Sequence, residues 1–244
     1  MSFFLSYQPR VEDFDHNGNL SLEATLQMFE NAGVMHSATV GDMVIDNSLA
    51  GTSWIVAEWR VEIYAQPASR TEKLTVETYP WGRTPASIVY RDYILRDSAG
   101  NTLAMGSAKL GLLDLQRGRL IRVTSEYHDR YNPGDCSVFE TQLPRMRELE
   151  EYRSETQLAM RRGDMDFNGH VHNTFYLRYA LEALPQQIYA EGKFTGFRIS
   201  FHKPIEKLQQ ITVRHSRVED GDYRMAVFSE NNELQALVDI GVKQ

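Results

Sequence analysis

The chain has 244 residues, of which 42% are hydrophobic and 24% charged, and its net charge is -7. This composition is ordinary for a folded protein with one large domain or two small ones, and the negative charge argues against nonspecific binding of nucleic acid. The chain has a single cysteine, Cys136, and so cannot form an intrachain disulfide. Neither a signal peptide nor a membrane-spanning run is evident in the sequence, and we therefore expect a cytoplasmic protein.

A six-residue pattern occurs twice in the chain. Residues 13–18 read Asp-Phe-Asp-His-Asn-Gly, and residues 164–169, which begin 151 positions later (164 minus 13), read Asp-Met-Asp-Phe-Asn-Gly. After each copy, large apolar residues recur at the spacing of a helix, so each copy is predicted to lead into one helix. Gly33 and Pro185 are expected near the ends of these helices, because glycine and proline are common helix-stop signals.

Extended segments follow each predicted helix. They cover 53–65, 71–81, 86–97 and 102–115 in the first half, and 196–203, 209–217, 222–229 and 234–242 in the second. A turn, one helix and an antiparallel meander in each half predict an α+β protein, a tandem (double) hotdog in which each long helix is wrapped by a curved antiparallel sheet. We expect an N-terminal hotdog over 1–123, a polar, turn-rich linker over 124–156 and a C-terminal hotdog over 157–244.

The repeated pattern also resembles the start of a calcium-binding EF-hand loop. Such a loop needs a bidentate carboxylate at its twelfth position, where the two copies have Ala24 and Phe175, so calcium binding is not expected. His170 and His172 lie two positions apart, as two ligands of a zinc ion on a strand could, but the sequence suggests no third ligand. Zinc therefore stays a minor alternative.

The two copies differ at one chemically important position. Asp15 and Asn17 correspond to Asp166 and Asn168, but Asn19 stands where the second copy has His170. Histidine is the side chain best suited to proton transfer near neutral pH. The difference favours an active second half and a first half that serves as scaffold or binds substrate. The alternative is neutral drift in a purely structural turn.

The second copy and the helix after it resemble the signature of the acyl-acyl carrier protein (ACP) thioesterase family. That family typically shows Asp-x-Asp-x-Asn-x-His-Val-x-Asn, followed by an aromatic helix that ends near Leu-Glu-x-x-Pro, and residues 162–185 match this pattern. Further matching segments lie in the first half, at Phe29–Gly33, Trp54–Trp59 and Tyr90–Asp97. Because the chain begins at the first repeat, without a transit peptide, we expect a bacterial member of this plant-type family.

The resemblance implies hydrolysis of the thioester between a fatty acyl chain and the phosphopantetheine arm of ACP, with release of free fatty acid and holo-ACP. It implies no metal and no bound cofactor. By its motif, the catalytic residues are Asp166, Asn168 and His170. His170 would transfer a proton or polarise a water, Asn168 would orient that water or stabilise the oxyanion, and Asp166 would orient its neighbours or act as the base. Backbone N–H groups of Asn173 and Thr174 are further candidates for oxyanion stabilisation.

This chain departs from the family downstream of the helix. Where the family has Arg-Glu-Cys, this sequence has Lys203, Pro204 and Ile205. A covalent cysteine mechanism is thereby excluded, since Cys136 lies in the predicted linker, and the family's glutamate is also missing. The general base stays open between Asp166 and Glu206, and we favour Asp166.

The resemblance also predicts a partner and a tunnel. ACP is acidic, so basic residues of the second half are candidates to dock it: Arg161, Arg162, Arg178, Lys193, Arg198, Lys203 and Lys207. An acyl tunnel is expected in the first half near Met28 and Phe29, which could instead be ordinary core residues. Two alternatives stay open, an acyl-CoA thioesterase and a non-catalytic acyl-binding protein. The chain could be a monomer or a homodimer.

Overall fold

A computed structural model describes residues 2–43, 51–218 and 221–243. Within these ranges there are eleven strands, four α-helices and two short 3-10 helices, Val11–Asp13 and Arg162–Asp164. The first half contains β1 Phe3–Tyr7, α1 Leu22–Thr39, β2 Thr52–Ile63, β3 Leu74–Trp81, β4 Val89–Arg96, β5 Thr102–Asp114, β6 Arg119–Ile121 and α2 Ser125–Asp129. The second half contains β7 Ser154–Ala159, α3 Asn173–Ala183, α4 Gln186–Glu191, β8 Phe194–Phe201, β9 Gln210–Arg217, β10 Tyr223–Phe228 and β11 Leu234–Val242.

The strands form one antiparallel sheet that joins the two halves. Its order is β1-β3-β4-β5-β2-β8-β11-β10-β9-β7, with β6 paired to β5. The halves meet where β2 pairs with β8, and within that pairing Trp59 lies opposite Ile199. On either side of this seam the strands follow the same sequence of pairings. The α+β tandem hotdog predicted from the repeat is thus confirmed.

A shared apolar core lies between the sheet and the helices α1 and α3. Phe29 of α1, Leu177 of α3 and Trp59 of β2 are almost completely buried within one cluster. Phe29 packs closely on Gly106 of β5, where a Cβ atom would lie 2.7 Å from the aromatic ring. Burial of each such side chain contributes roughly 1.5–3 kcal/mol to folding.

The segment between α2 and β7 packs on the outer face of the sheet. Its Thr141 and Pro144 carbonyls accept hydrogen bonds from Arg60 (2.8 Å) and Arg198 (2.6 Å). Met146 is buried against Phe228 and its neighbours. The predicted linker over 124–156 therefore covers the central strands, and it also includes α2 and the start of β7. The domain boundaries themselves stay a prediction.

All eight predicted strands are present, with ends that differ from the prediction by at most three residues. β1, β6 and β7 were not predicted. Pro185 does end a helix, because α3 stops at Ala183 and Pro185 is the N-cap of α4. The prediction for Gly33 was wrong, since α1 continues to Thr39. Gly33 lies inside the helix, where a Cβ atom would be 2.8 Å from the hydroxyl of Tyr93.

In the described ranges, no helix combines the length and the apolar character that crossing a membrane requires.

Candidate active site

The second copy of the repeated motif is a turn held by its first aspartate. Asp164 is buried, and its carboxylate accepts hydrogen bonds from the Tyr179 hydroxyl (2.6 Å) and the Arg161 N–H (2.8 Å). Its carbonyl accepts the N–H of His172 at 3.0 Å. These bonds fix the turn to the start of α3, so Asp164 has a structural role.

Asp166 closes the same turn from within. Its Oδ1 accepts the backbone N–H groups of Asn168 (2.8 Å) and His170 (3.1 Å), and its own N–H donates to the His170 carbonyl at 2.7 Å. Gly169 has φ +77°, a left-handed conformation that favours glycine. One carboxylate oxygen of Asp166 is therefore occupied by the backbone, which is how aspartate commonly stabilises such turns.

His170 lies beside Glu206. Their Nε2 and Oε1 atoms are 3.7 Å apart, and the Glu206 side chain is 66% exposed. Two hydrogen bonds hold the segment that contains Glu206 next to the motif. One runs from the Val171 N–H to the Ile205 carbonyl (2.9 Å) and the other from the Ile205 N–H to the Tyr176 hydroxyl (3.2 Å). Ile205, at the family's cysteine position, is buried in the core.

A cavity of about 360 Å³ lies in the first half and reaches the second copy of the motif. One face of α1 lines it with Glu30, Gly33, Val34 and Ser37, which recur at i, i+3, i+4 and i+7. Residues of the strands, of α2 and of the turn after α2 complete the walls, including Trp54, Val56, Trp59, Val89, Tyr90, Arg91, Tyr93, Leu110, Tyr127 and Tyr131. The walls are mainly aromatic and aliphatic, as expected of a site for an apolar ligand.

Residues of the second half line only one end of this cavity, which we call the mouth. They are Asp166, Phe167, Asn168, His172 and Asn173. Phe167 is largely exposed, so the mouth lies at the surface of the protein.

The cavity lies along the predicted helix, but Met28 and Phe29 do not line it. Both are fully buried core residues on other sides of α1. A cavity therefore lies in the predicted half and along the predicted helix, but on a different face, and its use as an acyl tunnel stays a prediction.

Two of the three predicted catalytic residues, Asp166 and Asn168, line the mouth. His170 lies outside the cavity lining, on the side of Glu206. The Thr174 N–H, a predicted oxyanion donor, instead donates to Nδ1 of His172 at 3.4 Å. The catalytic assignment of Asp166, Asn168 and His170 stays a prediction.

The sequence did not point to Glu30 as a site residue. Its side chain is 18% exposed, it lines the cavity, and it is hydrogen-bonded by the side chain of Asn173. Burial raises the pKa of Glu30 to about 8, although the Asn173 hydrogen bond opposes the shift. Nε2 of His172 lies 3.8 Å from Oε2 of Glu30, and burial lowers the pKa of His172. The available signal was one acidic residue within the mostly apolar stretch Met28–Gly33.

The corresponding residues around the first copy of the motif are apolar or small. Positions 151 residues away from Glu30, His172 and Asn173 hold Leu181, Ser21 and Leu22 respectively. These three line a pocket of only about 30 Å³ beside the first copy of the motif. The polar mouth and the large cavity therefore occur together, at the second copy.

The predicted docking residues fall into three groups. Arg198 was a wrong choice, because it is buried and paired with Glu58 at 2.7 Å. Arg178 and Lys203 pair with Glu23 and Glu233, each at 2.7 Å, and Lys193 lies 3.8 Å from Glu191. Arg161, Arg162 and Lys207 are exposed on the second half. Across the described ranges, no group of three or more histidine, cysteine and acidic side chains is arranged to hold a metal ion.

Comparison with known families places this fold and site in a class. The family model for the acyl-ACP thioesterase N-terminal domain matches residues 1–131, and that for the acyl-ACP thioesterase C-terminal domain matches residues 147–240. The first match alone covers more than half of the chain. The chain belongs to the acyl-ACP thioesterase family, which confirms the resemblance read from the motif.

Individual relatives agree with this assignment. The chain is 31% identical to the chloroplast oleoyl-acyl carrier protein thioesterase 2 of Arabidopsis thaliana over 148 residues, which are 55% of this chain and 39% of that protein. It is 25% identical to thioesterase 1 of the same plant over 207 residues, or 77% of this chain and 56% of that protein. The chain thus spans only 39% to 56% of the length of these relatives.

A crystal structure of an acyl-ACP thioesterase from Bacteroides thetaiotaomicron shares the fold. It superposes with a TM-score of 0.86 over 98% of this chain and 97% of that chain, at 14% sequence identity.

Proposed function

We propose that this chain hydrolyses the thioester of fatty acyl-ACP and releases free fatty acid and holo-ACP. The observation that carries the proposal is the apolar cavity of about 360 Å³ that ends at Asp166 and Asn168 of the second motif. An acyl chain in the cavity would place its thioester at a polar mouth. The plant relatives are named as thioesterases that act on acyl carrier protein substrates, which supports the same chemistry here.

Water is the nucleophile in this proposal. Ile205 occupies the family's cysteine position, and the only cysteine, Cys136, is exposed and does not line the cavity. Asn168 at the mouth would orient the water or donate to the oxyanion. His170, next to Glu206, would move a proton to or from the reacting groups, and Asp166 would hold the turn that carries both.

The proposed partner is ACP carrying its acyl-phosphopantetheine group. The exposed cations Arg161, Arg162 and Lys207 support docking of an acidic partner on the second half. The single cysteine supports a cytoplasmic location as part of the same proposal. Monomer and homodimer both fit the fused double hotdog.

The test is hydrolysis by the purified chain of a matched pair of substrates, the same acyl group on ACP and on CoA, across a series of chain lengths. We expect free fatty acid, detected by mass spectrometry, in stoichiometric amount with new thiol, and a higher kcat/KM on ACP. Equal or better turnover of the CoA substrate would mean that CoA, and not ACP, is the carrier of the acyl group. Acyl binding without release of thiol would reduce the protein to a non-catalytic acyl-binding module.

A further inference from the structure

The missing family glutamate leaves the reaction without an obvious base. Pro204 has no ionisable group, Glu206 is 66% exposed and does not line the cavity, and Asp166 has one oxygen held by two backbone N–H groups. A base must lie within reach of the water that it activates. Among the described residues that line the cavity, Glu30 and Asp166 are the two carboxylates.

We propose that Glu30, contributed by the first half, is the general base that activates water at the motif of the second half. The assignment rests on the proposed thioester hydrolysis. Glu30 lies on the cavity face of α1 and is hydrogen-bonded by Asn173, the first residue of α3. The base and the oxyanion-stabilising end of the site therefore belong to different halves of the chain.

The neighbours of Glu30 are suited to hold a carboxylate. Asn173 donates to it and so favours its ionised form. Nδ1 of His172 accepts the Thr174 N–H, and Nε2 of the same ring lies 3.8 Å from Oε2 of Glu30. His172 and Asn173 are thus positioning residues for Glu30. Burial raises the pKa of Glu30 to about 8, close to the pH at which a base works best.

The surroundings of the first copy of the motif supply an internal comparison. Position 181, which corresponds to Glu30, is a leucine, and the positions that correspond to His172 and Asn173 are Ser21 and Leu22. Glu30, His172 and Asn173 therefore have no counterpart of the same type at the first copy, where the large cavity is also absent. Their joint presence at the large cavity is what a site for chemistry requires, whereas a structural carboxyl would not need the cavity.

The reaction balances with Glu30 as the group that takes a proton from water and returns it. Its carboxylate takes a proton from water as the water oxygen attacks the thioester carbonyl carbon. The tetrahedral intermediate then breaks its C–S bond, and the proton on Glu30 passes to the departing sulfur. The products are a carboxylic acid and the free thiol of the phosphopantetheine arm, and Glu30 returns to its carboxylate form.

The first test is Glu30→Gln, which keeps the shape and removes the base. We expect kcat for acyl-ACP to fall about 10²-fold or more while KM changes little. Glu182→Gln, at an exposed carboxylate of α3, is the matched control and should leave kcat unchanged. A Glu30→Gln protein with turnover within about three-fold of the parent would overturn the assignment. An inactive parent chain would instead refute the proposed hydrolysis, and the assignment with it.

The pH dependence separates a base from a structural carboxyl. For the parent, kcat/KM should rise with pH to a plateau, with a midpoint near the Glu30 pKa of about 8. Asn173→Ala removes the hydrogen bond that favours the carboxylate, so the midpoint should move to higher pH. Glu30→Asp, which keeps the carboxyl, should retain part of the rate and of the rise. A parent profile without this rise, or a midpoint that stays in place in Asn173→Ala, would locate the base elsewhere.

Thermal unfolding gives a readout that does not depend on activity. The folded-state pKa of Glu30 lies above its usual 4.5, so its contribution to stability is complete below about 4.5 and is lost as pH rises through about 8. The Tm of the parent should therefore fall relative to that of Glu30→Gln between pH 5 and pH 9. A Tm difference that stays constant with pH would mean that Glu30 titrates like an exposed carboxyl, and it would contradict the assignment.

Discussion

The two copies of the motif have the same backbone and different surroundings. In both, the central aspartate accepts two backbone N–H groups, at 2.9 Å each for Asp15 and at 2.8 and 3.1 Å for Asp166. In both, the first aspartate accepts a tyrosine hydroxyl, from Tyr7 to Asp13 and from Tyr179 to Asp164. The motif is therefore primarily a turn that begins a helix, and its presence alone does not make a site.

The difference lies in what covers each turn. At the first copy, the Ala190 carbonyl near the end of α4 accepts a hydrogen bond from Asn17 (3.0 Å) and is contacted by His16 (3.1 Å). α4 lies there because Pro185 interrupts the second-half helix, whereas α1 runs unbroken through the corresponding region. At the second copy, Asn168 and Phe167 line the mouth of the large cavity instead. A break in one helix thus separates a covered copy from an accessible one.

The comparison fails if the two copies respond alike to substitution. His170→Ala should lower kcat for acyl-ACP by about 10²- to 10⁴-fold, because a general acid–base group contributes that much. Asn19→Ala, at the corresponding position, should leave kcat unchanged. The exchanged variant Asn19→His with His170→Asn should stay inactive, since the pocket at the first copy holds only about 30 Å³. Steady-state kinetics on one acyl-ACP substrate measures all three. A silent His170→Ala would mean that turnover does not need the motif histidine, and an active exchanged variant would mean that the large cavity does not decide which copy is active.

Local sequence patterns were enough to predict most of the fold. The two copies and their helices are short-range signals, and the strands after them have the period of half-buried β-structure. β1 and β7 are edge strands of five and six residues, too short to show a clear pattern. Arg198 was misjudged because it lies on a central strand whose outer face is covered by the segment around Pro144, a contact between residues 54 positions apart.

The site was predictable only where it is contiguous in sequence. Asp166, Asn168 and His170 lie within five residues, so one motif contains them all. Glu30 and Asn173 are 143 positions apart (173 minus 30), and they meet only because the two helices pack over one joined sheet. A contact of that kind has no signature in either local segment. The first copy is covered because α4 packs on it after Pro185. The helical periodicity of the sequence does not predict where α4 packs.

The seam between the halves offers a comparison in stability. Arg60 and Arg198 lie opposite each other where β2 pairs with β8. Arg198 pairs with Glu58, which is 12% exposed, whereas Arg60 pairs with Glu62, which is 37% exposed. Glu58→Ala leaves a buried guanidinium without its carboxylate and should lower the free energy of unfolding by about 3 kcal/mol. Glu62→Ala should cost about 1 kcal/mol or less.

Urea unfolding of the two variants, at one pH and salt concentration, measures this difference. Glu58 also contacts Lys109 (Nζ to Oε2, 3.1 Å), so Lys109→Ala is needed to separate that ion pair from the effect at Arg198. Equal losses of unfolding free energy from Glu58→Ala and Glu62→Ala would mean that the Arg198–Glu58 pair is as accessible to water as the Arg60–Glu62 pair.

The smallest expected effect concerns the length of the cavity. Along α1, Ser37 lies seven positions after Glu30 at the mouth, about 10 Å at the rise of a helix. The residue 151 positions after Ser37 is Ile188, so Ser37→Ile gives the first half the side chain of the second. The larger side chain should displace part of a long acyl chain, and each displaced methylene costs about 0.8 kcal/mol, or roughly four-fold in kcat/KM.

The preference of Ser37→Ile should therefore shift towards shorter chains, while kcat for the shortest good substrate stays near that of the parent. Ser37→Ala is the control, because it loses the hydrogen bond with the Tyr131 hydroxyl (3.0 Å) without adding volume. A chain-length series of acyl-ACP substrates, assayed with parent and both variants, separates the two effects. An equal loss at every chain length in Ser37→Ile would show that the acyl chain does not extend along α1. The difference between the halves would then lie in the mouth rather than in the cavity behind it.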